Sequence, residues 1–358
     1  MEQALQHTPL EEEHRALGAA LAPFGGWLMP IEYEGVLKEH AAVRERVGIF
    51  DLTHLGKVEV RGPRVLRHLQ RILTNDLSKV AVGEARYTLV LTERGGIVDD
   101  LIAYRTAEEE WMIVPNAGNT ARVLGILEDG DADVRHRPDL VTLAVQGPEA
   151  IGLVAPSFPE VEGLSFMEVA ASSFEGTEVL VARTGYTGEP GVELFVPEDA
   201  GTALWRRLLE RGATPVGLGA RDTLRLEMGY PLHGNDISED RTPLEAGLSW
   251  AVAMDKGDFT GREALARIKE EGGPSERLRG LRMLGRRIPR PHFPVSKDGR
   301  PVGETTSGTF SPTLRVGIAM AYLDRGVEPG DTVEVDVRGK GAEAEVVRPP
   351  FVDRSPKA

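Results

Sequence analysis

The sequence contains no cysteine among its 358 residues. This excludes disulfide bonds, thiolate metal sites and a cysteine nucleophile together. If the protein takes part in sulfur chemistry, the sulfur must come from a substrate.

Phosphate-binding loops are missing as well. Neither the G-x-G-x-x-G pattern nor the G-x-x-x-x-G-K-[ST] pattern occurs, so we expect no nucleotide fold and no bound flavin or nucleotide. The formal net charge of -14 repels a phosphate backbone, and the chain has no basic stripe. Nucleic acid is therefore not an expected partner.

Long apolar runs are also absent, since no stretch approaches the roughly 18 residues that a membrane-spanning helix needs. The first residues, MEQALQHTPLEEEH, are polar and acidic rather than typical of a secretory leader. We therefore expect no contact with a membrane and a cytoplasmic location.

The length and the distribution of short elements predict several domains. A chain of 358 residues exceeds what one core usually organises. We expect an α+β domain built from residues 1–55 and about 137–250, a ferredoxin-like domain over about 56–136, and a C-terminal antiparallel β-barrel or jelly-roll-like domain over about 275–358.

Local signals predict helices near the amino terminus. Thr8 and Glu11 have the spacing of a capping box with Pro9 between them, which predicts a helix that runs to about Leu21. A second helix is expected over residues 36–47, after an aromatic and glycine-rich loop at 24–30.

The central stretch ERGGIVDDLIAY predicts a β-hairpin. Gly95 and Gly96 suit its turn, between strands at residues 85–92 and 97–104. Because side chains alternate along a strand, Asp99 and Asp100 face different environments. Either one of these acids lies in a functional cleft, or both flank the hairpin in water.

Further candidate residues follow later in the chain. Glu193 is a second acid within an apolar strand pattern. Arg221 lies on a helix entered through glycines, where it either points into a cleft or belongs to a solvated charged face. His54 follows the stretch IFDLT, where a lone histidine is more often a structural hydrogen bonder than a base, and we assign it no role.

Several ordered strings, among them GGIVDDLI, VQGP, GLGARD and TSGTFSPT, resemble the aminomethyltransferase (T-protein) family of the glycine cleavage system. The resemblance covers nearly the whole chain. His233 and Asn235 depart from the more usual tyrosine and glutamine. A tyrosine contact near the family's carboxyl end has no match in PPFVDRSPKA.

This resemblance implies a three-domain cloverleaf around an opening that binds tetrahydrofolate, with no metal. It implies transfer of a methylene group from the aminomethyl-dihydrolipoyl arm of H-protein to tetrahydrofolate, with release of ammonia. Asp100 matches the catalytic acid, and Glu193 and Arg221 match folate-binding residues. Pocket-lining roles are implied for Tyr87, Asn116, Tyr186 and Arg290.

Two alternatives remain open at this point. The same fold could serve a folate-dependent demethylase of a small methylated substrate, or a folate-binding protein without catalytic activity. The presence of Asp100 together with Glu193 and Arg221 favours an enzyme, because binding alone needs no acid at the reacting end.

Overall fold

The computed structural model describes residues 4–357, and the chain divides into two compact units. The first contains the residues up to Thr88, Asp100–Asp222 and the last residues from Ser355. The second contains Leu89–Asp99 and Thr223–Arg354.

The first unit begins with a small three-stranded sheet and two helices. Its strands lie in the order β1–β3–β2. The elements are β1 (Gln6–His7), α1 (Glu11–Ala16), β2 (Ala20–Phe24), β3 (Trp27–Glu32) and α2 (Val36–Glu45).

The predicted extent of the first helix is wrong. Helix α1 ends at Ala16, and Leu21 pairs with Pro30 in the β2–β3 hairpin. Gly18 ends the helix, because it adopts φ +77° and its N–H reaches back to Arg15 O. The Thr8 hydroxyl donates to Asp51 at 2.6 Å and does not cap the helix, so no capping box forms.

A six-stranded sheet forms the core of the first unit, with the order β11–β12–β13–β10–β4–β14. All seven residues of its β10 strand are buried, as expected of a strand covered on both faces. Its elements are β4 (Gly48–Asp51), β10 (Leu140–Gln146), α5 (Ala150–Val154), β11 (Val169–Phe174), β12 (Thr177–Ala182), β13 (Gly191–Pro197), α6 (Glu198–Glu210) and β14 (Thr214–Pro215).

A five-stranded sheet has the order β6–β7–β8–β5–β9 and contains the predicted hairpin. Gly95, with φ +84°, makes the turn, as expected. Strand β9 was not predicted. The elements are β5 (Val58–Arg61), α3 (Val65–Ile72), β6 (Ala85–Leu91), β7 (Ile97–Ala107), β8 (Glu110–Val114), α4 (Thr120–Glu128) and β9 (Asp133–His136).

An apolar cluster joins these two sheets within the first unit. Tyr104 of β7 and Met112 of β8 pack together with Val169 of β11, Ala182 of β12 and Phe195 of β13. The Tyr104 and Phe195 rings meet edge to face with centroids 5.6 Å apart. This packing fixes the position of β7, which carries Asp100, relative to β13, which carries Glu193.

The second unit contains a closed barrel with the strand order β15–β18–β17–β16–β19–β20. All its pairings are antiparallel. Helix α7 (Leu218–Glu227) crosses from the first unit into the second. The other elements are α8 (Arg262–Glu270), β15 (Glu276–Met283), β16 (Pro294–Lys297), β17 (Arg300–Ser311), β18 (Val316–Asp324), β19 (Thr332–Asp336) and β20 (Gly341–Val347).

The α+β class and the antiparallel barrel predicted from the sequence are thus confirmed, whereas the three domain ranges stay a prediction. Strand β17 was missed beyond its first residues, although the hairpin at Asp298–Gly299 was expected. In the described part of the chain, no helix combines the length and the apolar character that crossing a membrane requires.

Candidate active site

Asp100 lies on β7 with hydrogen-bond donors on both of its carboxylate oxygens. The Tyr87 hydroxyl donates to Oδ2 at 3.0 Å, and Asn116 Nδ2 donates to Oδ1 at 3.0 Å. An ionised carboxylate is an acceptor only, so this arrangement suits the charged form. The structure therefore brings together three of the residues that the sequence singled out.

The backbone explains why these three side chains converge. Tyr87 and Asp100 lie on the two strands of the central hairpin, and Asn116 follows β8 directly. Asn75 holds the backbone of β6 at Tyr87, since its Nδ2 donates to Tyr87 O at 3.0 Å.

Asp99 and Asp100 occupy the two environments that strand alternation predicted. Asp99 is fully buried, whereas Asp100 is half-buried. The alternative in which both acids sit in water is therefore wrong. Of the two carboxylates, only Asp100 lies on a face that a ligand can reach.

Glu193 is a buried carboxylate whose donors all fall on one oxygen. Glu193 as a whole residue is 7% exposed. The hydroxyls of Thr184 and Tyr104 donate to Oε2 at 2.6 and 3.1 Å. No described residue donates to Oε1, which leaves that oxygen to accept from a ligand.

Tyr104 is held in its protonated form. Burial, followed by the charge of Glu193, raises the pKa of the Tyr104 phenol well above its usual value. Its hydroxyl therefore remains a donor to Glu193. Tyr104 lies four residues after Asp100 on the same face of β7. Because Tyr104 also donates to Glu193, strand β7 connects the carboxylates of Asp100 and Glu193.

The side chain of Gln146 anchors the loop between β12 and β13. Its Nε2 donates to Thr184 O at 3.1 Å, and its Oε1 accepts from the Thr187 hydroxyl at 2.9 Å. Gly185 is needed here, because a Cβ atom would lie 2.0 Å from Gln146 Oε1. The sequence analysis missed this role of Gln146, although it noted the string VQGP.

Arg44 also holds the loop between β12 and β13. Its guanidinium donates to Thr187 O at 2.7 Å and to Glu189 at 3.0 Å, in a nearly fully buried ion pair. No local pattern pointed to Arg44, because its partner Glu189 lies 145 residues away.

Arg221 stacks on Tyr186, with its guanidinium carbon 4.6 Å from the ring centroid. Glu39 fixes the start of helix α7, which carries Arg221, by accepting from the Gly217 N–H at 2.8 Å. The guanidinium is therefore held against the loop that also supplies Thr184 to Glu193. The alternative of a solvated helix face does not describe Arg221.

His54 lies near Arg221 and is 3% exposed. Its Nδ1 is shielded from solvent and has no hydrogen-bond partner among the described residues. Burial, followed by the Arg221 charge, lowers the pKa of His54 to about 3. Its imidazole is thus neutral at ordinary pH.

Arg290 is the one predicted site residue that belongs to the second unit. It is exposed, and its side chain donates to Gly308 O at 3.4 Å. His233, which had no assigned role, also lies in that unit. Its Nε2 donates to Ile97 O at 3.1 Å and so fixes the first residue of β7.

The described residues contain no group of three or more histidine, aspartate or glutamate side chains that could hold a metal ion. The candidate site therefore consists of two acids, one arginine and several hydroxyl and amide donors.

Comparison with known proteins assigns the family. The model of the GCVT N-terminal domain matches residues 10–256, and that of the glycine cleavage T-protein C-terminal barrel domain matches residues 276–353. The chain belongs to the glycine cleavage T-protein family.

Individual T-proteins resemble the chain over its full length. An aminomethyltransferase of Frankia alni is 51% identical, with 99% of each chain covered. One from Mycobacterium tuberculosis is 50% identical over 97% of each. The crystal structure of glycine cleavage system aminomethyltransferase T from Bartonella henselae superposes with a TM-score of 0.93 at 37% identity, covering 98% of this chain and 99% of that one. The family and the enzyme class predicted from the sequence are confirmed.

The low pKa of His54 leads to a testable pH dependence. The unfolded chain takes up a proton at this histidine below about pH 6.5, whereas the folded protein does not until about pH 3. Its contribution to stability is therefore complete above about pH 6.5 and is lost as the pH falls toward 3. Between about pH 7.5 and about pH 5.5, the wild type should lose about 1.4 kcal/mol more than His54→Gln.

The measurement is urea unfolding of both proteins at the two pH values. All other titrating groups are shared, so the difference between the two slopes isolates His54. Equal slopes would mean that the imidazole also takes up a proton in the folded state.

Proposed function

We propose that this protein transfers the methylene group of an aminomethylated dihydrolipoyl arm, carried by H-protein, to tetrahydrofolate. The C–S and C–N bonds of the S–CH2–NH2 group break, and the carbon forms bonds to N5 and N10 of the folate. The two hydrogens that leave these nitrogens end on the arm's thiol and on ammonia. Membership of the T-protein family supports this proposal, which places the reaction in the cytoplasm.

The observation that carries the proposal is the half-satisfied carboxylate of Glu193. A buried acid whose Oε1 receives no donor from the described residues fits a ligand that presents N–H groups. A pterin does so through its amino group and its ring nitrogens. Tyr104 and Thr184, by donating to Oε2, orient the free oxygen.

Asp100 takes the catalytic role in this proposal. As carbon leaves sulfur for nitrogen, positive charge develops on the one-carbon unit and the folate amines lose protons. A half-buried carboxylate fixed by Tyr87 and Asn116 stabilises that charge and accepts a proton without having to reorganise.

The remaining proposed site residues bind and orient. Arg221, held against Tyr186, supplies a fixed positive charge for the folate. Tyr87, Asn116 and Tyr186 line the pocket in this proposal. Holding two reactants in attack geometry and excluding water from the methylene account for much of the rate.

Replacing Asp100 tests the catalytic assignment. Asp100→Asn should lower single-turnover transfer by about 10²- to 10⁴-fold, the usual range for a lost acid–base group, and leave tetrahydrofolate affinity within a few-fold. The matched control is Asp99→Asn on the opposite face, which should cost much less. A larger loss of activity in the Asp99 variant than in the Asp100 variant would show that the catalytic role had been given to the wrong acid.

Replacing the two charged binding residues tests the folate site. Glu193→Gln and Arg221→Ala should each weaken tetrahydrofolate binding by about 1.5–3 kcal/mol, as charge-assisted hydrogen bonds do. Calorimetry measures this, with Glu178→Gln as the control because Glu178 is an exposed residue of β12. Unchanged affinity in both variants would move the pterin elsewhere.

The donor is the third point to test. Because the chain has no cysteine, the thiol has to belong to the arm, and a tethered arm lets a weak protein contact suffice. Aminomethylated H-protein should give methylenetetrahydrofolate and ammonia at a far higher rate than free methylated amines or sulfonium compounds. Equal or faster turnover on the small compounds would replace this proposal with the demethylase alternative.

A further inference from the structure

A basic cleft in the second unit lies outside the site described above. It encloses about 380 Å³, and its lining includes Leu244, Glu245, Lys269, Pro274, Arg277 and Arg279. Three cations and one acid thus surround a concavity in a protein whose net charge is -14.

The local fold explains why these cations converge. Helix α8 ends just after Lys269, and Gly272 and Gly273, with φ +98° and +88°, turn the chain into β15. Arg277 and Arg279 are two residues apart on that strand, so their side chains project from the same face, about 7 Å apart.

Only part of this charge is neutralised by the protein itself. Arg279 pairs with Glu328 at 3.0 Å, and Glu245 accepts from Arg241 at 3.3 Å. In the part of the chain that the structure describes, no acid forms an ion pair with Lys269 or Arg277. Lys269 and Arg277 therefore line the cleft without an ion-pair partner among the described residues.

The guanidinium groups also have unused donors. The Nε atoms of Arg277 and Arg279 are both shielded from solvent and lack a hydrogen-bond partner among the described residues. A shielded donor without an acceptor costs free energy, and a bound acceptor removes that cost.

We propose that the basic cleft binds a small, multiply charged anion through carboxylate or phosphate groups. Its volume lies in the range of small-ligand sites, about 300–1,000 Å³, whereas protein partners bury broad surfaces. Seven of the ten lining residues are charged or glycine, which favours a polar ligand. Arginine forks match carboxylate and phosphate oxygens equally well.

Calorimetry with two probes tests this proposal and distinguishes the two chemistries. Citrate and inorganic diphosphate are titrated separately into the full-length protein at about 10 mM ionic strength, where screening is weak. At least one should bind with a stoichiometry of one. Lys269→Gln and Arg277→Gln should each weaken that binding by about tenfold or more.

The control is Lys340→Gln, which removes the same charge from an exposed turn outside the cleft and should leave affinity unchanged. Circular dichroism checks folding, and the exposed position of Lys269 keeps one variant informative if Arg277→Gln unfolds. Citrate binding identifies a carboxylate ligand and diphosphate binding a phosphate ligand.

Three results would overturn the proposal. These are no binding of either probe, unchanged binding in both cleft variants, or an equal loss in Lys340→Gln. The assay uses neither folate nor H-protein, so its outcome is independent of the proposed transfer reaction.

Discussion

The structure depends on buried carboxylates that gather donors from distant parts of the chain. A carboxylate that leaves water is costly unless donors surround it. Glu39 meets this need by accepting from the backbone N–H groups of Tyr33 and Gly217 at 2.7 and 2.8 Å. Asp51 accepts from the Thr8 hydroxyl at 2.6 Å and from His14 at 2.9 Å. Each acid therefore holds separate segments of the chain together, and these hydrogen bonds help to position the site residues.

The site uses the same interaction but leaves it incomplete. Glu193 has donors on one oxygen only, and Asp100 is half-buried rather than enclosed. A structural acid such as Glu227 differs, because Ser311 and Thr313 place donors on both of its oxygens. Glu193 thus keeps one oxygen without a donor from the described residues, and Asp100, although both of its oxygens accept, stays partly exposed.

The same kind of hydrogen bond also joins two of the family motifs. The strings GLGARDTLRLE and TSGTFSPT interlock within the second unit, where Arg225 of α7 donates to Asp236 at 2.7 Å and to Ser307 of β17 at 2.8 Å. Glu227 joins the same two strings through Ser311. Arg225, Glu227, Ser307 and Ser311 of these strings therefore maintain the fold, and only Arg221 among the residues of the two strings is proposed to contact folate.

Local patterns in the sequence were sufficient for the central hairpin, for the alternation of its side chains and for the family. Gly95 makes the hairpin turn and alternation separates Asp99 from Asp100, because both effects depend only on neighbouring residues. Strand β17 escaped prediction because its buried residues carry hydroxyl side chains, so no apolar alternation appears. Two of them, Ser307 and Ser311, donate to the buried acids Asp236 and Glu227. The roles of Arg44, Gln146 and Tyr104 likewise depended on tertiary structure. Their partners lie tens of residues away, and only the packing of the sheets brings a donor to an acceptor across that distance.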